Sequence, residues 1–119
     1  RGRLKKERIA EAVALARLED RIRDRVSKYS GGMKRRLNIA VSMLHHPEIL
    51  VMDEPTVGVD IDSRKYIFEA LLNLKKEGRT VIFTSHNTNE METLCDRIAS
   101  MDKGRILSIR TGSEANGKA

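Results

Sequence analysis

Residues 50–55 read Leu-Val-Met-Asp-Glu-Pro, an apolar run that stops at two adjacent carboxylates. Leu, Val and Met suit a buried strand. Asp and Glu do not, unless a partner for their charge is close by. Two acids at the carboxyl end of a strand can serve Mg²⁺ and an activated water, because open parallel sheets place their ligand crevice at that end. A strand followed by an acidic turn is the plainer reading of the same residues. Upstream, Ser30-Gly31-Gly32 opens a predicted helix. The first turn of a helix leaves N–H groups unpaired, its dipole is positive there, and glycines let an anion come close. Lys34, Arg35 and Arg36 follow directly, where cations oppose the dipole by roughly 0.3–1 kcal/mol each; the arrangement makes more sense beside a phosphate. An ordinary glycine-containing helix start is the alternative. A second apolar run, residues 80–85, ends at His86. A lone histidine is more often structural than catalytic, so only its position can argue for chemistry.

That position is informative. Tyr29-Ser30-Gly31-Gly32-Met33, Ile49 to Asp53 with Glu54, Val57 to Asp60, and His86 together resemble, in order and spacing, four motifs from the C-terminal half of the ATP-binding domain of ATP-binding-cassette (ABC) transporters. The resemblance covers roughly residues 4–110. It implies that Tyr29 to Met33 is the signature motif, which contacts the γ-phosphate of ATP held by the opposite subunit. Ser30, Gly31, Gly32 and Met33 are then candidate nucleotide contacts. It implies that Asp53 holds Mg²⁺, through water because Mg²⁺ keeps much of its hydration shell. Glu54 would polarise or orient the attacking water, and His86 would reach the γ-phosphate. Asp60 falls in the D-loop, which links two nucleotide sites across a dimer; it can also cap the following helix. Met33 departs from the family's usual Gln and cannot complete a capping box, although Ser30 and the backbone donors remain. Tyr29 replaces a common Leu and should alter packing only.

The implied cofactors are ATP and Mg²⁺. The implied partners are a second ATP-binding domain and transmembrane permease subunits, with no nucleic acid, on the inner face of the cell membrane as a cytoplasmic peripheral subunit. The Tyr29–Met33 and Thr56–Asp60 variants look similar to export-type systems. The family's phosphate-cradling loop, G-x-x-x-x-G-K-[ST], belongs well before the signature motif and is not found there. Gly112 to Lys118 matches it superficially, but Ala119 stands where the Mg²⁺-binding Ser or Thr belongs. The glutamine loop and the adenine-stacking aromatic are missing as well. The resemblance therefore implies a fragment that begins inside the helical subdomain and is inactive alone. A non-transport ABC ATPase acting on nucleic acid or ribosomes, and a non-catalytic interaction fragment, are the alternative readings.

The elements that must position these groups follow from periodicity. Ile9, Ala12, Val13 and Ala16 predict a helix over 5–18, and Leu18, Ile22 and Val26 a second amphipathic stretch. Ser30 offers an N-cap to a helix reaching about His45, whose later half should be buried all round by Leu37, Ile39, Ala40, Val41, Met43 and Leu44. His45 and His46 read as residues of that helix end, not as ligands. Residues 49–53 form a strand, 61–77 a helix with an inward stripe of Ile67, Ala70, Leu71 and Leu74 closed by Gly78, and 80–85 a second buried strand. Strand-helix-strand with short connections implies a parallel pair, which should set Glu54 and His86 side by side at its carboxyl ends. Residues 88–95 form a helix, and 97–101 with 105–109 a hairpin around Asp102-Lys103-Gly104. The expected class is α/β: a partial P-loop NTPase-type parallel sheet with flanking helices, preceded by part of the helical signature subdomain. Boundaries are expected at 1–46 for that subdomain, 47–110 for the ATPase core and 111–119 for a flexible tail.

Composition bounds the rest. A chain of 119 residues supports one small core. Aromatic content of 3% with no Trp leaves packing to aliphatic side chains. The apolar runs are too short to span a bilayer, and no charged-then-apolar leader opens the sequence. The single Cys95 excludes an internal disulfide and reads as a small residue on a helix face. The net charge of +6 is concentrated in residues 1–36, with thirteen Lys and Arg against five Asp and Glu. These charges are scattered without interleaved aromatics, which favours a solvated helix surface over a nucleic-acid site.

Overall fold

The computed structural model describes residues 2–112. They fall into two compact units, the first running to Thr84 and the second beginning at Ser85.

In the first unit, α1 (Gly2–Ala16) turns Ala12 and Ala16 inward. It is followed by Arg17 in a left-handed conformation, and the chain dips to bury Leu18 at 1% exposure. The amphipathic stretch expected next is instead two single 3₁₀ turns, Glu19–Arg21 and Val26–Lys28. Ile22 and Val26 stay exposed, so too little apolar surface was available to hold a helix there. Tyr29 closes this segment: its ring is buried and its hydroxyl donates to the Arg21 carbonyl at 2.7 Å. Its role thus exceeds the packing change expected.

Helix α2 (Gly31–Met43) starts where Ser30 caps it, the side chain accepting from the Met33 N–H at 3.2 Å. Ile39, Ala40 and Met43 are buried, whereas Val41 is 55% exposed; the apolar positions form a stripe rather than a full collar. Ala12, Ala16, Leu18, Tyr29 and Ala40 make one core cluster, with Val13, Met33, Leu37 and Leu44 packed on it. His46 ends the turn after α2 with a φ of 51°, and its ring nitrogen lies 2.8 Å from the Glu11 carboxylate, tying the end of α2 to α1.

Strand β1 (Ile49–Asp53), helix α3 (Ile61–Lys76) and strand β2 (Thr80–Thr84) follow at the expected places. Ile67, Ala70, Leu71 and Leu74 are all buried, and Gly78 supplies the left-handed residue after α3 that a side chain would resist. The strands pair in parallel from Ile49↔Thr80 to Asp53↔Thr84. Alternation puts Leu50, Met52 and Val81 on one face, against Met43 and Leu74. The other face carries Ile49, Val51 and Ile82, each at least half exposed. The expectation of a buried strand over 80–85 is therefore corrected: α1 to α3 cover one face of the pair, and Ile82 on the other is 54% exposed. Helices α1, α2 and α3 all touch one another within this unit.

In the second unit, α4 (Thr88–Leu94) is capped by Asn87, which accepts from the Glu90 N–H at 3.2 Å. The Glu90 carboxylate is buried and receives the Ser85 hydroxyl at 3.3 Å. β3 (Arg97–Asp102) and β4 (Arg105–Thr111) pair antiparallel with a register shift at Ser100/Met101. Lys103 and Gly104, both left-handed, make the two-residue turn that matches strand twist. Thr111, expected to open a tail, is the last residue of β4; residues 113–119, which hold most of that tail and of the Gly112–Lys118 match, lie outside the described residues. Among the described residues no helix is long and apolar enough to cross a membrane.

Candidate active site

The chain turns sharply as β1 ends at Asp53. Glu54 has a φ of 47°, a left-handed conformation costing a non-glycine residue roughly 1–2 kcal/mol. Side chains from two other elements hold it. Thr84, the register partner of Asp53, donates its hydroxyl to Asp53 Oδ1 at 2.5 Å and accepts from the Glu54 N–H at 3.0 Å. One hydroxyl thus orders the carboxylate of the first acid and the backbone of the second. From the other side, Arg35 in α2 donates Nη1 to the Glu54 carbonyl at 2.6 Å and Nη2 to the Val57 carbonyl at 3.3 Å. The Val57 N–H returns to the Glu54 carbonyl at 3.3 Å. Pro55 is buried behind the turn, Asp53 is exposed and Glu54 half-buried.

The loop continues through Gly58, with a φ of 73°, to Asp60 at the start of α3. Asp60 occupies the N-cap position, but its side chain makes no cap hydrogen bond. It lies against α2 instead. A Cβ on Gly32 would sit 2.2 Å from Ser63 Oγ and 2.7 Å from Asp60 Oδ1, so only glycine allows the two helix starts to approach. Gly31 has open space around it. The Met33 N–H is taken by the Ser30 cap and its side chain packs on the core cluster, which accounts for an apolar residue there. The amides of Gly31 and Gly32, first in the helix, have no intrahelical acceptor.

The cations after the glycines are corrected by their contacts. Arg36 is 8% exposed; its Nη1 donates to the Ala16 carbonyl at 3.0 Å and the Arg17 carbonyl at 3.1 Å, and its guanidinium lies 4.9 Å from the centre of the Tyr66 ring. It serves the carboxyl end of α1, where a cation complements the dipole. Arg35 is bound to the Glu54 turn. Lys34 is the exposed one of the three.

The first unit therefore joins Asp53 and Glu54 through Thr84 and presses Gly32 on Asp60, with Ser30 and Gly31 at the same helix start as Gly32. His86 belongs to the second unit, where it is exposed and immediately precedes the Asn87 cap of α4. Sequence reasoning missed Thr84, and it set Arg35 beside a phosphate rather than on the Glu54 and Val57 carbonyls. Thr84 could have been found by aligning the two five-residue strands in parallel, which sets it opposite Asp53; no local signal marks Arg35.

No cluster of three or more His, Cys, Asp or Glu gathers among the described residues. An exposed carboxylate oriented by a hydroxyl still fits Mg²⁺, which keeps several waters and takes one or two carboxylates together with substrate phosphates. Asp53 is the residue that would hold it, and the ion would then neutralise charge on phosphate oxygens.

A parallel strand-helix-strand unit ending in paired acids, with a capped helix start pressed on the following loop, has the build of an ATP-binding cassette, and comparisons agree. The family described as ABC transporter matches residues 4–57. Linearmycin resistance ATP-binding protein LnrL of Bacillus subtilis (strain 168) is 47% identical over 109 residues, covering 92% of this chain and 35% of that protein. A Nod factor export ATP-binding protein I of Rhizobium etli is 44% identical over 100 residues, covering 84% and 32%. A dimeric ATP-binding cassette solved in a post-hydrolysis state with ADP and Pi superposes with a TM-score of 0.79 at 26% identity, over 93% of this chain and 48% of that one. The chain belongs to the ABC transporter family, as part of its ATP-binding domain. It spans about a third of the length of the curated relatives it matches.

Proposed function

We propose that this chain is the C-terminal part of an ATP-hydrolysing subunit that drives an export-type ABC transporter. The observation that carries this reading is the Asp53–Glu54 turn: two acids at the end of a parallel strand, one oriented by Thr84, the other held in a left-handed turn beside the start of α2. The names of the linearmycin-resistance and Nod-factor-export relatives support export. Residues 1–46 are read as part of the helical subdomain and 47–110 as the C-terminal part of the core.

In this reading Asp53 holds Mg²⁺. Glu54 orients the attacking water, since phosphoryl transfer depends mostly on positioning and charge stabilisation. His86 meets the γ-phosphate. Ser30 and the amides of Gly31 and Gly32 receive the γ-phosphate of a nucleotide held by a second ATP-binding domain, Met33 shapes that turn, and Asp60 links the two sites. Transmembrane permease subunits are the other partners, and the subunit sits on the cytoplasmic face of the membrane. The chain alone is inactive and holds ATP at millimolar affinity, about −4 kcal/mol. The test is ATP turnover by the full-length protein with and without Mg²⁺. Turnover that requires the ion supports the reading; no turnover with permease subunits present contradicts it.

A further inference from the structure

Arg35 is one of three cations whose position suggests phosphate binding, yet its guanidinium spans two backbone carbonyls, those of Glu54 and Val57, at 2.6 and 3.3 Å. The turn it spans needs support. Glu54 is left-handed, β1 has ended at Asp53, and α3 does not begin until Ile61. Thr84 fixes the N–H side of Glu54. On the carbonyl side, the Val57 N–H at 3.3 Å is a long closure for the turn.

We propose that Arg35 is a positioning residue for the reaction: by clamping the Glu54 and Val57 carbonyls it fixes the turn from which the Glu54 carboxylate orients water. The proposal rests on the reading of Glu54 as the water-orienting group. A planar guanidinium can donate to both carbonyls at once, which an ammonium on a flexible stem does poorly. Arg36 cannot substitute, because it is committed to Ala16 and Arg17. Arg35 also follows Gly32 by three residues, so the two share a face of α2. Gly32 presses on Asp60 and Ser63 while Arg35 holds Glu54 and Val57. The helix whose start is the candidate phosphate contact is thereby fastened to both ends of the loop that carries Glu54. A shift of α2 along its axis would break both fastenings, so the position of that helix is felt at Glu54.

The test compares Arg35→Met, Arg35→Lys, Glu54→Gln and the Glu54→Gln/Arg35→Met double variant in the full-length ATPase. Arg35→Met should lower kcat on the order of tenfold or more, with the Kd for Mg-ATP within about twofold, because positioning and not binding is lost. Arg35→Lys should fall between it and the unaltered protein. The double variant should turn over no more slowly than Glu54→Gln, since Arg35 acts through Glu54. If Arg35→Met does not fold, Arg35→Lys carries the same comparison in its own double variant. Unaltered kcat in the folded Arg35 variants, or losses that multiply with Glu54→Gln, would overturn the proposal. Unaltered turnover in Glu54→Gln would overturn instead the reading of Glu54 on which it rests.

Discussion

Asp53 and Glu54 are neighbours in sequence but are held by different parts of the structure. Asp53 is the last strand residue, and its carboxylate is oriented by a hydroxyl thirty-one residues away. Glu54 is already outside the strand, in a conformation most residues avoid. In the full-length protein, Asp53→Asn should raise the Mg²⁺ concentration needed for half-maximal turnover, because an amide oxygen is a weaker ligand than a carboxylate; an unchanged titration would remove Asp53 from the metal. Thr84→Val should weaken both acids together. Each lost hydrogen bond is worth about 0.5–1.5 kcal/mol, and urea unfolding of the chain should show a loss of that order while turnover falls further. Equal turnover would mean that the hydroxyl is ornamental. At this scale the acids were legible, since carboxylates that end an apolar run are conspicuous. Thr84 and Arg35 were not, because their roles depend on contacts across 30 and 19 residues. Both Arg35 and Arg36, expected beside a phosphate, instead bind carbonyls, because a cation near a glycine turn says nothing about which carbonyls lie within its reach.

Elements with strong periodicity were read correctly. The α3 stripe, both five-residue strands, the Ser30 cap and the Lys103-Gly104 hairpin follow from spacing and turn chemistry alone. The segment between α1 and α2 did not, because three apolar residues at helical spacing do not reveal whether a surface exists to receive them. The two glycines of the signature turn separate in the same way. Gly32→Ala should destabilise the chain by about 1–3 kcal/mol, the usual cost of overpacking, since Ser63 and Asp60 would have to retreat. Gly31→Ala should leave the unfolding midpoint unchanged or slightly raised, because its surroundings are open and alanine favours helix. Equal effects of the two substitutions in thermal unfolding would contradict the close approach of α2 and α3.

For the whole molecule, parallel sheets normally have both faces covered, and the β1–β2 pair has one. Ile49, Val51 and Ile82 lie at 60, 70 and 54% exposure on the face that also carries Asp53 and Thr84. Sequence could announce the apolar strands but not how many layers this chain supplies to cover them. The isolated chain should accordingly bind a hydrophobic dye, and Val51→Lys should reduce that signal without lowering the unfolding midpoint; an unchanged signal would locate the exposed apolar surface elsewhere. The work of the Glu54 turn in the assembled protein is read from ATP hydrolysis by the full-length protein carrying Glu54→Gln, measured beside Mg-ATP binding by the same preparation. The expected result is a loss on the order of 10²-fold or more in kcat with binding retained. Turnover near that of the unaltered protein would instead make Glu54 a structural turn residue with no part in orienting water.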